Sequence, residues 1–157
     1  MQPRHHARLQ TAARLGLAHW FFGNLYEEVV RMPARIAEQP VAGGPLATGS
    51  PVRYYLPAAP VTVATTLACV AAGWHRRADR PALAAAGLLT ATGTAMTGHL
   101  VRAVVLQLLD GTQSDPAERQ RLVEHWHRVN RIRLVVVAAA AIALRAGTRT
   151  EPGTTTH

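Results

Sequence analysis

Two long stretches of the chain carry no charge. Residues 56–74 hold nothing more polar than Thr and Gly before the tryptophan, and residues 81–101 are interrupted only by His99. About 20 apolar residues of helix cross a hydrocarbon core, so both stretches are spanning candidates. The competing reading, two buried helices of a soluble bundle, sits less well with the lack of a charged stripe. Both stretches are rich in Ala, Gly and Thr, the residues that let helices approach closely inside a bilayer. Two weaker stretches flank them. Residues 15–26 are uncharged but contain His19 and Asn24, and residues 134–144 are almost wholly aliphatic. Each reaches span length only by including polar groups, Glu27 and Glu28 in the first and Asn130, Arg131 and Arg133 in the second. Polar groups at membrane depth are expensive and therefore functional candidates.

The connections suit four antiparallel helices. Residues 32–56 are rich in Pro and Gly and read as one long loop. Asp79-Arg80-Pro81 turns into the third helix, with proline in a permitted first-turn position. Ser114-Asp115-Pro116-Ala117-Glu118 opens the fourth with a cap, a proline and acids at the positive end. The pattern predicts an all-α, antiparallel four-helix transmembrane bundle, with helices near 10–31, 57–75, 82–109 and 116–145. One domain covers residues 1–146, and residues 147–157 read as a disordered tail. The N-terminal apolar stretch runs into Asn24, Tyr26 and Glu27 without a small-residue cleavage site, so it reads as a retained helix.

Charge first points elsewhere. Seventeen basic residues, all arginine, face nine acids, for a net charge of +8. Such a balance suggests nucleic acid, but the arginines flank apolar stretches instead of lining one helix face beside stacking aromatics. A nucleic-acid partner is therefore set aside. With alternating spans, eight arginines fall on the side holding both termini and the 74–81 turn, which places that side in the cytoplasm and the chain in the cell membrane as a multi-pass protein. The single cysteine, Cys69, excludes a disulfide framework and multi-cysteine metal sites. No Gly-rich phosphate loop, nucleophile elbow or redox cysteine pair is present.

The residues able to do chemistry gather at one end of the expected bundle. His19, Gly23 and Glu27 share a face of the first helix, with Asn24 beside them. His99 and Arg102 are three apart on the third helix. His127, Asn130 and Arg131 lie within one turn of the fourth, with Trp126, Asn130 and Arg133 as a second stripe. Tyr54 and Tyr55 precede the second helix on the same side. The plain alternatives are arginines that snorkel and aromatics that anchor at the interface. Glu124-x-x-His127 has the spacing of di-metal bundles, but it occurs once where that architecture needs it twice. No metal is assigned, although His19, Glu27, His99 and His127 leave one open.

The stretch Gly16-Leu-Ala-His-Trp-Phe-Phe-Gly-Asn-Leu-Tyr-Glu-Glu-Val-Val-Arg-Met-Pro33 resembles the first helix of a family of small four-helix membrane proteins that includes the anthrone oxygenases. Trp126-His-Arg-Val-Asn130-Arg-Ile-Arg133 is similar to its fourth-helix pattern, and Gly49-Ser-Pro-Val-Arg-Tyr-Tyr55 to a subgroup loop. The resemblance implies a pocket for a flat aromatic or quinol-like substrate, oxygenated by dioxygen as a monooxygenase without metal or organic cofactor. A base would remove the acidic methylene proton of an anthrone, giving a carbanion that reduces dioxygen. His19, His99 or His127 would serve as base, with Glu27 orienting a histidine. Asn24, Tyr54, Tyr55, Arg102, Trp126, Asn130 and Arg133 would bind substrate, Asn130 and the arginines holding the oxyanion. The alternative is a non-enzymatic membrane protein, an assembly partner or a small-molecule-binding or efflux-linked component. Self-association into a homo-oligomer is left open.

Overall fold

A computed structural model describes residues 3–38, 53, 57–109 and 115–148. Helix α1 spans Pro3–Val29 and α2 spans Met32–Glu38. Helix α3 spans Ala58–Gly73, and a 3₁₀ turn at Arg77–Asp79 leads into α4, Arg80–Leu100. Helix α4 continues through a π-helical turn, Val101–Val105, into the four-residue α5, Leu106–Leu109. Helix α6 spans Pro116–Gly147. In cyclic order, α1 packs on α3, α3 on α4, α4 on α6 and α6 on α1, with α4 and α6 forming the most extensive contact.

The buried positions explain this packing. On α6 they are Val123, Trp126, Asn130, Arg133, Val137, Ala140, Leu144 and Gly147. On α1 they are Ala13, Leu17, Trp20, Asn24 and Glu27. Both series alternate steps of three and four, the seam of left-handed helix packing. The seams of α3 (Thr62, Thr66, Cys69, Gly73) and α4 (Leu83, Ala86, Thr90, Gly93, Leu100) follow the same rule. Threonine is tolerated there because each buried hydroxyl donates to the carbonyl four residues back: Thr62 to Ala58, Thr66 to Thr62 and Thr90 to Ala86, at 2.7–2.9 Å.

Among the described residues, no helix is long and apolar enough to cross a membrane. This overturns the expected transmembrane bundle, and with it the lipid partner, the multi-pass placement in the cell membrane and the orientation with both termini in the cytoplasm. Helix α3 has 16 residues, a rise of about 24 Å at 1.5 Å each, short of a ~30 Å hydrocarbon core. The uncharged stretches of α1 and α6, residues 15–26 and 134–144, are each flanked by charges within the same helix, and the uncharged run of α4 is diluted by Ala, Gly and Thr. Those small residues serve contact between helices. A Cβ at Gly16 would lie 2.6 Å from Thr62 Oγ1, and one at Gly147 would lie 2.8 Å from Leu83 Cγ.

The N-terminal part of the expected 32–56 loop is helical. Arg31 adopts a left-handed conformation (φ 52°) that ends α1, and Met32-Pro33 restarts the chain as α2, which buries Pro33 and Ile36. The signal was the apolar spacing Met32, Pro33, Ile36, obscured by the Pro- and Gly-rich sequence after it. Helix α6 starts at Pro116, with Asp115 Oδ1 accepting from the Ala117 amide at 2.9 Å and Glu118 in the first turn.

Candidate active site

On one side of the ring the first turns of α3 face residues of α1, α2, α4 and α6. A cavity of about 660 Å³ opens there. The first turns of α3 form one wall with Ala58, Ala59, Val63 and Leu67. The opposite walls are Trp20 of α1, Thr94 and Thr97 of α4, and Trp126 of α6. Met32, Pro33 and Ile36 of α2 close it, together with Leu100, Val101, Val105 and Leu108 around the π turn. The lining is largely apolar with few polar groups, the usual composition of a small-molecule site. π-helical turns occur often at such places.

The polar groups enter at successive seam positions. Glu27 lines the cavity and is 7% exposed. Arg133 Nη2 donates to Glu27 Oε2 at 3.3 Å. Burial disfavours the carboxylate, Arg133 favours it by charge and hydrogen bond, and burial prevails: the carboxyl is pushed up to about 7. The guanidinium is held in turn. Arg133 Nη1 donates to Thr97 Oγ1 at 3.2 Å, and Nη2 and Nε donate to Asn130 Oδ1 at 2.6 and 3.2 Å. Asn130 is fully buried and spends its amide on the α1 backbone and on Glu28. Its Nδ2 donates to the Asn24 carbonyl at 3.2 Å and to Glu28 Oε2 at 2.9 Å.

Glu28, the adjacent carboxylate, has the opposite character. Burial raises it, but hydrogen bonds from Asn130 and Arg131 and the close approach of the His127 ring outweigh this and hold it below its ordinary value. Arg131 Nε donates to Oε1 at 2.9 Å, and His127 Nδ1 lies 3.0 Å from Oε2. Two neighbouring carboxyls thus diverge, one held below the ordinary carboxyl value and one raised to about 7. Such divergence separates structural from proton-transferring groups.

The candidate residues from the sequence separate into groups. His19, Asn24, Glu27, Trp126 and Arg133 line the cavity. Asn130 and His127 do not, and lie behind it in the network that fixes Arg133 and Glu28. His99 lies outside the cavity lining on an exposed site, its Nε2 3.0 Å from His125 Nε2. Arg102 is exposed in the π turn. Tyr54 and Tyr55 lie outside the described residues. Glu124 is exposed and accepts from Gln120 at 2.8 Å. Among the described residues, no three His, Cys, Asp or Glu side chains come together to hold a metal ion. Cys69 is buried in the α3 seam, where burial raises its thiol above the ordinary value against a smaller opposing effect of Arg14. The sequence reading did not single out Thr97, which receives Arg133. Its signal was the seam position four residues after Gly93.

No curated protein and no solved structure matches the chain. The family model described as anthrone oxygenase matches residues 51–143, a stretch that includes Thr97, Trp126, Asn130 and Arg133 and stops short of Asn24 and Glu27. With more than half of its length matched, the chain belongs to the anthrone oxygenase family.

Proposed function

We propose that the cavity binds a flat aromatic ketone bearing an acidic methylene, and that Glu27 removes the methylene proton so that the resulting carbanion reacts with dioxygen. The observation that carries this reading is a carboxyl at about 7 in the wall of an apolar cavity. A base is most effective when its pKa lies near the working pH. Trp20 and Trp126 offer ring surfaces to a polycyclic ligand. Family membership supports the reaction class. The base in this reading is Glu27, whereas the sequence favoured a histidine: His99 and His127 stand outside the cavity lining, and His19 shares the lining with Glu27.

The chemistry balances without a further reductant. Glu27 takes one methylene proton, and the carbanion passes an electron to dioxygen. The radical pair combines into a C–O bond, and Glu27 returns its proton to the peroxide. Removal of the remaining hydrogen on that carbon breaks the O–O bond, and hydroxide leaves with that proton as water. One methylene and one dioxygen become one carbonyl and one water. Arg133 keeps the carboxylate accessible near neutral pH, and the apolar walls keep water from the carbanion.

The test is oxygen uptake by the purified chain supplied with anthrone. Uptake and anthraquinone formation should match one to one and exceed the spontaneous rate. They should fall to that rate in Glu27→Gln. Equal rates in wild type, Glu27→Gln and a protein-free control would overturn the reading.

A further inference from the structure

Asn24 is the buried residue whose hydrogen bonding is incomplete at the cavity. It lines the cavity, is 2% exposed, and its Nδ2 has no hydrogen-bond partner among the described residues. A buried donor left unsatisfied costs ~1–3 kcal/mol, so native structures seldom retain one without a use for it. The residue is also held in place. Its backbone carbonyl accepts from Asn130 Nδ2, which ties this turn of α1 to α6. Asn24 precedes Glu27 by three residues, so the two side chains project from the same helix face about one turn apart, with ~5–6 Å between Cβ atoms.

We infer that the Asn24 amide is the donor that receives the ligand's carbonyl oxygen and the negative charge that develops there when Glu27 takes the proton. This rests on the reading of the cavity as a site for an aromatic ketone and names the group that recognises the ketone. An amide is suited to the task. It donates without being able to lose a proton near neutrality, and it places no competing charge beside Glu27. Fixed donors aimed at a developing oxyanion commonly contribute 10²–10³ in rate. Of the other polar groups in the wall, which include His19, the arginine and the threonines are already engaged. Arg133 is taken up by Glu27, Asn130 and Thr97, and the Thr94 and Thr97 hydroxyls donate to Thr90 and Gly93 carbonyls. The specificity that follows is for a neutral, acceptor-bearing polycycle over a hydrocarbon of equal shape.

The experiment compares anthrone, kept anaerobic, with 9,10-dihydroanthracene, which has the same three rings and no carbonyl. Binding is read from quenching of Trp20 and Trp126. Wild type should bind anthrone about tenfold tighter, the discrimination expected from one hydrogen bond to a buried donor. In Asn24→Leu and Asn24→Ala the preference should shrink to within about twofold through loss of anthrone affinity, while dihydroanthracene still binds and so reports an intact cavity. Turnover should drop about 10²-fold without a shift of its pH midpoint, which Glu27 sets. A preference that survives in both variants overturns the role of Asn24 and leaves the ketone site standing. Equal loss of both ligands in both variants also overturns it, since Asn24 would then only support the fold. Failure of wild type to bind either compound overturns the ketone site and the role of Asn24 with it.

Discussion

Glu27 and Arg133 meet across the α1–α6 seam with 3.3 Å between Oε2 and Nη2, and yet the carboxyl rests at about 7. The ion pair is nearly solvent-free, with 5% and 9% of the arginine and glutamate side chains exposed, and desolvation of a charge can exceed the attraction its partner supplies. The arginine is shared among three acceptors, which dilutes its hold on any one of them.

Turnover of an anthrone should therefore rise with pH through a midpoint near 7 and level above it, because the ionised form is the base. Glu27→Gln should lose about 10²–10⁴ in kcat, and Glu27→Asp should keep a sigmoidal profile. A pH-rate series on the three proteins checks this.

Arg133 lowers the pKa of Glu27 by charge and hydrogen bond. Arg133→Met should move the pH midpoint upward, by about 1–3 units as expected for loss of a close opposite charge. Arg133→Lys should move it less. The readout is the midpoint, which a general loss of folding would not shift.

Stability carries the same signature with its own sign. A carboxyl raised in the folded state binds more protons there than in the unfolded chain. Its contribution is complete below the ordinary value of 4.5 and fades as pH climbs through about 7. Between pH 5 and pH 8 the Glu27 contribution should decline by up to ~3 kcal/mol. Urea titrations should show a flatter pH dependence in Glu27→Gln. Glu28, held low, acts oppositely: its contribution is present above the ordinary value and lost on acidification below it.

The seam itself predicts a contrast between glycines. A Cβ at Gly147 would meet Leu83 Cγ at 2.8 Å and the Leu83 backbone nitrogen at 3.2 Å, and backbone cannot swing aside. Gly147→Ala should cost about 1–3 kcal/mol. Gly98 has nothing within 4 Å of its would-be Cβ, so Gly98→Ala should gain about 0.5–1 kcal/mol from helix propensity. Thermal unfolding of the two variants should move in opposite directions.

The helical class and the start of α6 at Asp115-Pro116 were readable because capping is local chemistry. The partners of Glu27 were harder to see. In sequence, Glu27 and Glu28 are equivalent neighbours, and only the three-four seam puts one into the cavity wall and the other beside Arg131 and His127. Asn130 stands outside the cavity lining, which the sequence does not reveal, because a buried amide and a binding amide have the same sequence signature. Reading the uncharged runs by length, without testing for the seam, made Ala, Gly and Thr resemble bilayer packing when they mark close contact among α1, α3, α4 and α6. The cavity has no local signal, since its walls come from α1, α2, α3, α4 and α6 together.

The π turn at Val101–Val105 shifts the count of the helix that carries it. The Leu106 amide donates to Val101 five residues back, so residues above the turn are rotated relative to those an uninterrupted α-helix would present. Leu100, Val104, Val105, Leu108 and Leu109 are all buried as a result. The heptad below and the roof above are consequently set by separate rules. Deleting one residue inside the turn would leave the Leu83–Gly93 seam in phase and turn a different side of α5 toward the cavity. The size of the cavity can thus be altered by a change of chain length at one point, with Glu27 and Arg133 left where they stand.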